Sequence, residues 1–447
     1  MSRPLLRFAP SPTGHLHIGN ARIAVLNALY AAQNNGMMLL RIDDTDTERS
    51  QDTFIDSIQE DLRWLGIDHP EPLYQSQRHS LYQDAIDKLK STGRLYPCFE
   101  SPSELARKRK LARLQGKPPI YDRASLRLSP AEQRTLEDKG NKPYWRFKLS
   151  DTAVHWDDLV FGKHRHALKD ISDPVLVRAD GRPLFTLSSV VDDHALAITH
   201  IIRGEDHMTN TAAQIDLFHA LDAKPPLFAH LPLILNDKGQ PFAKRNTESL
   251  ALHALREQGY EPLTIISLLA HLGSSRPIVA HSTWQQAARA FDMRAFSKSA
   301  PRIDADSLGT LNRQLLQHST FTTIQPRLKS LAIDIDEAFW QVIQGNIDTL
   351  EDCREWQRIC FEDKPFWDSQ PDSDPAYLRL AIDALPQPPW DETTWTTWCQ
   401  ALATTSGRRG KTLFLPLRLA LTGKAHGPEM SALLPFIGFT RAHQRLQ

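Results

Sequence analysis

Apolar residues near the start of the chain form short runs separated by a segment of helical period. The run 5–9 predicts a strand, and apolar residues at helical spacing then begin after Asn20 and stop near Gly36. The compact apolar run 38–42 predicts a second strand. Because parallel strands need a crossover helix between them, this order predicts a doubly wound parallel sheet.

The next segments continue the α/β pattern. Phe54, Ile58, Leu62 and Leu65 recur at intervals of three and four residues and stop at Gly66, which is typical of an amphipathic helix that ends at a glycine. A further helix is expected at about residues 81–89. We interpret both helices as scaffold.

The pattern of apolar and polar residues changes between about residue 95 and residue 185. Residues 103–115 carry five cationic side chains and predict a basic helix, residues 144–149 alternate like a strand, and Asp180-Gly181 is typical of a hairpin turn. These features predict an α+β insertion within the α/β fold. A basic run is also typical of a solvated helix face, so contact with phosphates stays open.

The α/β pattern resumes after the insertion, and the rest of the chain is helix-rich. We therefore expect a Rossmann-like catalytic domain with an insertion, followed by all-α domains. The predicted ranges are 1–94 and 186–240 for the two halves of the nucleotide-binding domain, 95–185 for the insertion, 241–319 for a mobile-loop and helical domain, and 320–447 for a helical C-terminal domain.

Composition restricts the class of protein. The 447 residues suggest two to four domains, and 53 basic against 53 acidic residues give no global field, so RNA contact must come from local basic patches. No window is apolar enough to span a membrane, and the N-terminus lacks a basic and apolar leader. We expect a cytoplasmic protein that is a monomer.

Cysteines are few and scattered. Cys98, Cys353, Cys360 and Cys399 include no pair at C-x2-C spacing, which fits a reducing compartment and gives no support to a metal site.

Residues 7–20 join the first predicted strand to the first helix through two prolines and two glycines. The first N–H groups of a helix are unpaired and carry a partial positive charge, and glycines at positions 14 and 19 would let a phosphate approach the backbone. A chance combination of loop residues would suffice to explain the glycines alone. The whole stretch predicts a nucleotide site.

These fourteen residues resemble the first signature of glutamyl-tRNA synthetases, which are class I enzymes. The family's His-Ile-Gly-His motif corresponds to His17-Ile18-Gly19-Asn20. The resemblance implies binding of ATP, with magnesium carried mainly by the ATP phosphates, and a catalytic role for His17. The ATP-binding residues it implies are Pro10, Thr13, Gly14, His17, Gly19, Asn20, Glu205, Leu235, Lys244 and Arg245.

An acidic stretch, residues 41–46, follows the second predicted strand, where open α/β sheets place their ligands. From local sequence alone, a solvated acidic loop is the less favoured alternative. It resembles the family's R-I-E-D-T-D, whose Glu contacts the ammonium group of the amino acid. Asp43 stands at that position, one methylene shorter, and we expect it to reach the ammonium through water.

An arginine followed by glycine and carboxylates closes the apolar run 198–202, and arginine can hold a carboxylate through two donors. The family resemblance implies that Arg203 and Arg7 bind the two carboxylates of glutamate between them, which would favour glutamate over glutamine. Phe185 replaces a family tyrosine whose hydroxyl helps to hold the amino acid, so the resemblance implies the loss of one hydrogen bond of about 0.5–1.5 kcal/mol. The glutamate-binding residues implied are Arg7, Ser11, Asp43, Phe185, Ser189 and Arg203.

Residues 230–245 occupy the place of the second class I signature, usually K-L-S-K-R in this family. Lys244 and Arg245 match it, whereas Pro241 and Ala243 replace its first lysine and its serine. A lysine beside departing pyrophosphate stabilises charge that develops in the transition state, so Lys244 is the second expected catalytic residue.

The C-terminal region contains the basic cluster 407–411, followed by Leu417, Ala420 and Leu421 at helical spacing. One interpretation is that these residues merely cap a helix and supply its buried face. They also resemble the anticodon-binding helices of bacterial glutamyl-tRNA synthetases. Some bacterial members bind zinc through cysteines after a Tyr-x-Cys element, but Phe99 and Glu100 follow Cys98 here, so no zinc is expected.

The resemblance implies a glutamate–tRNA ligase, with tRNA(Glu), L-glutamate and ATP as partners, and leaves acceptance of tRNA(Gln) open. The alternative is a catalytically impaired paralogue that acts as a tRNA-binding or regulatory protein. It is suggested by the departures from the family pattern at Pro241, Ala243 and Phe185. A short paralogue that glutamylates a queuosine base is disfavoured by residues 320–447, and a glutaminyl enzyme by the helical character of the same region.

Overall fold

The computed structural model describes residues 3–46, 48–236, 239–240, 250–303, 305–364 and 374–447. The strands are β1 Leu5–Phe8, β2 Met37–Ile42, β3 Leu73–Tyr74, β4 Leu95–Cys98, β5 Tyr144–Phe147, β6 Ala153–Asp158, β7 Gly162–Ala167, β8 Val175–Val177, β9 His200–Gly204 and β10 Leu227–Leu231. The helices are α1 Ile18–Gln33, α2 Asp52–Trp64, α3 His79–Ser91, α4 Pro102–Leu114, α5 Pro130–Asp138, α6 Phe185–Ala195, α7 Met208–Ala220, α8 Leu252–Glu257, α9 Pro262–His271, α10 Trp284–Ala290, α11 Ala305–Gln317, α12 Phe321–Ser330, α13 Glu337–Ile343, α14 Asp352–Phe361, α15 Pro375–Asp383, α16 Thr394–Ser406, α17 Lys411–Thr422, α18 Met430–Ile437 and α19 Phe439–Leu446.

Parallel strands form the centre of the N-terminal part. One ladder has the order β1-β2-β3, and β10 lies between β6 and β9, parallel to both. Thr199, just before β9, joins the two groups: its N–H donates to the carbonyl oxygen of Leu5 in β1 at 2.9 Å. This arrangement, with helices between the strands, confirms the predicted parallel α/β architecture.

The order of the strands determines where a ligand can bind. After β1, helix α1 leads to β2 on one side, whereas after β9, helix α7 leads to β10 on the other side. The carboxyl ends of β1 and β9 therefore border a crevice at a switch point of the sheet. Ligands of open α/β sheets bind in such crevices.

The predicted α+β insertion contains an antiparallel sheet of order β4-β5-β8 with helices α4 and α5. Both helices begin at a serine whose side chain accepts from the backbone three residues later, in a capping box with a proline at the first turn. The hairpin of β6 and β7 also falls within 95–185, yet β6 pairs with β10 of the parallel sheet.

The described residues form two compact units. The first comprises those of Met1–Ala254, Ile265–Val279 and Thr283–Asp304, and the second those of Leu255–Thr264, Ala280–Ser282 and Ala305–Gln447. Helices make up the second unit, around a core that includes Trp340 and Trp398, as the sequence predicted for the C-terminal region. Among the described helices, none is long and apolar enough to cross a bilayer.

Candidate active site

A cavity of about 460 Å³ opens at the carboxyl ends of β1, β9 and β10, beside the start of α1. It lies at the switch point of the sheet. Nine residues predicted to bind ATP or glutamate line this cavity: Arg7, Pro10, Ser11, Thr13, His17, Gly19, Asn20, Phe185 and Arg203.

His17 stands immediately before the first residue of α1, in an extended backbone conformation. Its Nδ1 accepts a hydrogen bond from the N–H of Gly19 at 3.0 Å. An imidazole nitrogen that accepts carries no proton, so the proton of the neutral ring is on Nε2. Burial lowers the pKa of His17, which keeps the ring neutral near pH 7. The arrangement leaves Nε2–H to donate to a ligand in the cavity.

Gly19 is required by this cap. A Cβ atom at position 19 would lie 2.9 Å from Cε1 of His17, closer than real Cβ contacts allow. At Gly14 a Cβ would meet nothing within 4 Å. The two glycines of the motif therefore differ: the one at 19 makes room for the catalytic histidine predicted from the sequence, and the one at 14 lies in open space.

Arg7 and Arg41 share one buried carboxylate. Nε of Arg7 donates to Oδ1 of Asp193 at 3.0 Å, and Nη1 of Arg41 donates to the same oxygen at 2.9 Å. Arg41 also holds Asp43 through Nε at 2.7 Å and Nη2 at 3.1 Å. Burial raises the pKa of Asp43, while Arg41 acts in the opposite direction. Two arginines and two aspartates thus form one buried hydrogen-bonded network beside the cavity.

Asp192, the neighbour of Asp193 in α6, links this helix to α3. Its carboxylate accepts from Nε2 of Gln75 at 2.8 Å, from Nε of Arg78 at 2.6 Å and from the hydroxyl of Tyr82 at 2.9 Å. Each oxygen of the buried carboxylate is therefore paired, and Asp192 holds α6 in place beneath the cavity.

Arg203 differs from Arg7 and Arg41 because its hydrogen-bond partners are neutral. Nη2 donates to the hydroxyl of Thr211 and to the amide oxygen of Gln214, both at 2.7 Å, and Nε donates to Nε2 of His230 at 3.2 Å. Nη1 is buried and has no hydrogen-bond partner within the described part of the chain. Burial, and to a smaller extent the charge of Arg7, lowers the pKa of Arg203 to about 9. The side chain holds a positive charge that lacks a directly bonded carboxylate.

Other predicted site residues lie beside the cavity. Asp43 lines a smaller cavity of about 190 Å³ together with Ser11 and Phe185. Ser189 is buried in α6 and accepts from Nη2 of Arg41 at 3.3 Å. Glu205 accepts from the N–H of Leu233 at 3.1 Å, so it fixes a backbone segment that lines the main cavity.

Four further predicted residues are not among those that line the cavity. Leu235 exchanges backbone hydrogen bonds with the segment 301–303, and Gly14 is absent from the cavity lining. Lys244 and Arg245 lie outside the described residues, as do Pro241 and Ala243. The role predicted for Lys244 therefore stays a prediction.

Sequence reasoning gave no role to Arg41, Asp193 and Asp158, which are buried and hydrogen-bonded at the site. Arg41 is the first residue of the acidic stretch 41–46. Asp158 is the last residue of β6 and accepts from Nδ1 of His230 at 2.6 Å. The sequence does contain a signal. Val154, Trp156 and Asp158 are every second residue of a strand and therefore share one face, which places a carboxylate among apolar side chains.

No group of three or more His, Cys, Asp or Glu side chains able to hold a metal ion occurs in the described ranges. Cys98 lies 3.7 Å from the hydroxyl of Tyr121, and burial raises the pKa of its thiol to about 11. The thiol is therefore protonated near pH 7. The prediction that zinc is absent remains to be tested by elemental analysis.

The chain matches known proteins over nearly its whole length. The family "tRNA synthetases class I (E and Q), catalytic domain" matches residues 5–310, and "Anticodon binding domain" matches residues 311–447. Among similar proteins, "Glutamate--tRNA ligase 2" of Granulibacter bethesdensis is 48% identical over 99% of this chain and 97% of its own length. "Glutamate--tRNA ligase 2" of Acidiphilium cryptum is 49% identical over 99% and 98% of the two chains.

Solved structures agree. A crystal structure of a glutamate tRNA ligase from Elizabethkingia meningosepticum, in complex with its amino acid, superposes with a TM-score of 0.84 at 26% identity, covering 100% of this chain and 98% of that one. The fold, the position of the cavity and the two matched families point the same way. The chain belongs to the family of class I tRNA synthetases for E and Q.

Proposed function

We propose that the chain is a glutamate–tRNA ligase, which activates L-glutamate with ATP and transfers the glutamyl group to the 3′ end of tRNA(Glu). The observation that carries this proposal is the buried guanidinium of Arg203, which lines the cavity with neutral partners and whose Nη1 has no partner among the described residues. The names of the relatives at 45–49% identity support it.

Arg203 selects an anionic amino acid. A buried charge without a counter-ion is costly, and a ligand carboxylate that pairs with it removes that cost. Arg7 differs, since Asp193 already balances part of its charge. Glutamate carries two carboxylates, and the side-chain amide of glutamine is neutral. A site that holds both carboxylates between Arg203 and Arg7 therefore favours glutamate.

The first step needs no side-chain nucleophile. The α-carboxylate of glutamate attacks the α-phosphorus of ATP, glutamyl-adenylate forms, and pyrophosphate leaves. His17 donates from Nε2 to a phosphate oxygen, and the start of α1 adds its partial positive charge. Because His17 is neutral, it acts as a hydrogen-bond donor that needs no proton exchange.

The predicted second signature completes the ATP site. Lys244 stabilises the charge on the departing pyrophosphate, with Arg245 beside it. Magnesium is carried by the ATP phosphates, which supply most of its oxygen ligands together with water. We expect no stoichiometric zinc.

In the second step a hydroxyl of the terminal adenosine of tRNA attacks the glutamyl carbonyl carbon of the adenylate, an ester forms, and AMP leaves. The match of residues 311–447 to an anticodon-binding family supports contact with the anticodon. Helix α4 presents Arg107, Arg109, Lys110 and Arg113 without any buried residue, which suits contact with tRNA phosphates. Acceptance of tRNA(Gln) is a question for charging assays. We expect a cytoplasmic monomer.

Two assays test this function. ATP–pyrophosphate exchange is measured with glutamate, glutamine and aspartate, and charging is measured with tRNA(Glu) and tRNA(Gln). The proposal predicts exchange and charging with glutamate. A protein that binds tRNA but supports no exchange with any amino acid would instead be the impaired paralogue. The names of the relatives do not favour that alternative.

A further inference from the structure

Three adjacent strands each contribute one member of a buried hydrogen-bonded chain. Asp158 ends β6, His230 lies in β10, and Arg203 lies opposite His230 in β9. Nδ1 of His230 is 2.6 Å from Oδ2 of Asp158, and Nε of Arg203 is 3.2 Å from Nε2 of His230. All three side chains are buried. This series of hydrogen bonds thus connects the carboxylate of Asp158, through the imidazole of His230, to the guanidinium of Arg203 in the cavity.

The carboxylate dictates which imidazole nitrogen carries the proton. An ionised aspartate only accepts, so Nδ1 of His230 must donate. Nε2 of the neutral ring is then unprotonated and accepts from Nε of Arg203, with the hydroxyl of Thr211 a second neighbour at 2.9 Å. Burial lowers the pKa of His230, which keeps the ring neutral. Burial alone would raise the pKa of Asp158, but hydrogen bonds from His230 and from the N–H groups of Val160 and Phe161 lower it.

The imidazole keeps the aspartate from pairing directly with the arginine. Asp193 bonds directly to Arg7 and consumes two of its donors. Asp158 instead acts on Arg203 through a neutral ring, so the guanidinium is oriented while its charge is left for a ligand. With Nε held by His230 and Nη2 held by α7, the plane of the guanidinium is fixed, and Nη1 is the nitrogen left without a partner in the described part of the chain.

We propose that Asp158 and His230 are positioning residues for amino-acid binding: Asp158 fixes the tautomer of His230, and His230 orients Arg203 toward a carboxylate of the substrate. This inference rests on the proposed function, because it takes glutamate as the ligand. Neither residue touches the substrate.

Asp158→Asn is the sharpest variant. Oδ1 of Asp158 accepts from the N–H groups of Val160, Phe161 and His230, and an asparagine oxygen can keep these contacts. Its amide nitrogen then meets Nδ1 of His230 as a donor. The ring must protonate Nε2 instead, which places a donor against the Nε donor of Arg203.

His230 is tested with a matched pair of variants. The amide oxygen of His230→Gln can take the place of Nε2 as acceptor, whereas His230→Leu removes the acceptor. The control is Asp157→Asn, which removes the same charge from the exposed neighbouring position of β6. KM for glutamate, KM for ATP and kcat are measured by pyrophosphate exchange, glutamate binding by calorimetry, and the His230 tautomer by ¹⁵N NMR of histidine-labelled protein.

We expect Asp158→Asn and His230→Leu to raise KM and Kd for glutamate by about tenfold to a hundredfold, the range for a lost hydrogen bond to a charged group. KM for ATP should stay within about twofold, and His230→Gln should retain most of the glutamate affinity. The NMR spectrum should show Nδ1–H in wild-type protein and Nε2–H in Asp158→Asn.

Unchanged glutamate affinity in Asp158→Asn, or a loss in His230→Gln equal to that in His230→Leu, would overturn the proposal, as would a parallel loss of affinity for ATP. Wild-type protein without glutamate-dependent exchange would contradict the proposed function instead. Calorimetry with glutamate alone would still decide the role of His230 in that case, because it requires no chemistry with ATP.

Discussion

Nδ1 of His17 accepts the N–H of Gly19 at 3.0 Å, so the histidine caps the helix that it precedes. The contact fixes the ring in one orientation and leaves Nε2–H for a ligand. A side chain at position 19 would occupy the space of the ring, since its Cβ would lie 2.9 Å from Cε1 of His17. The histidine and the glycine of this motif therefore form one structural unit.

Gly19→Ala should lower kcat of pyrophosphate exchange by about a hundredfold, because a displacement of about 1 Å at a catalytic group has an effect of that size. KM for glutamate should change little, since the ring acts on the phosphate. Gly345→Ala is a suitable control, because a Cβ at that position meets nothing within 4 Å. An active Gly19→Ala enzyme would show that the cap is dispensable.

Asp193→Asn should destabilise the protein. The substitution leaves the buried guanidinium groups of Arg7 and Arg41 with one carboxylate fewer, and breaking a buried ion pair typically costs about 3–5 kcal/mol. Urea unfolding gives the free energy directly. In the control, Asp222→Asn, the exposed pair with Lys88 is lost, for which about 0–1 kcal/mol is expected. Equal losses of unfolding free energy in the two variants would contradict the role of Asp193 as a buried ion-pair partner.

The fold was largely predictable because its signals are local. The apolar runs 5–9 and 38–42 match β1 and β2, the helix stop at Gly66 matches the end of α2, and the basic helix predicted at 103–115 matches α4. Periodicity and glycine act over one or two turns of chain. They report local structure wherever tertiary contacts do not override it.

The pairing of side chains was not predictable in the same way. Arg7 and Asp193 are 186 residues apart, and they meet only because β1 lies beside β9 and α6 packs against that part of the sheet. The sequence resemblance predicted that Arg7 and Arg203 share the same task. The structure gives them different surroundings, a carboxylate for Arg7 and neutral groups for Arg203, and no local pattern carries that difference.

His207 should make stability depend on pH. Burial, with the charges of Arg203 and Arg7, lowers its pKa from 6.5 to about 4, although Asp206 acts in the opposite direction. Between these values the unfolded chain binds a proton that the native protein does not, so stability falls as the pH falls from 6.5 to about 4. His207→Gln should show a shallower fall of Tm over this range than wild type. Parallel curves of Tm against pH for the two proteins would show that His207 does not contribute to the pH dependence of stability.

The double variant Arg109→Ala and Lys110→Ala should weaken tRNA binding and leave pyrophosphate exchange unchanged. Helix α4 has no buried residue, so the change should not disturb the fold. Losing two phosphate contacts should reduce the slope of log K against log salt by roughly 1–2. Arg63→Ala with Lys224→Ala, two exposed cations of the α/β part, serves as the control. An unchanged slope would place the tRNA contact elsewhere.

The central claim is that the buried charge of Arg203 selects glutamate. The measurement is the ratio of kcat/KM for glutamate to that for glutamine in pyrophosphate exchange, in wild-type protein and in Arg203→Gln. A site that leaves a buried polar group unpaired with the wrong substrate discriminates by about 10⁴-fold, so the wild-type ratio should be of that order and should collapse in the variant. A wild-type ratio near one, or a ratio that survives in Arg203→Gln, would contradict this account.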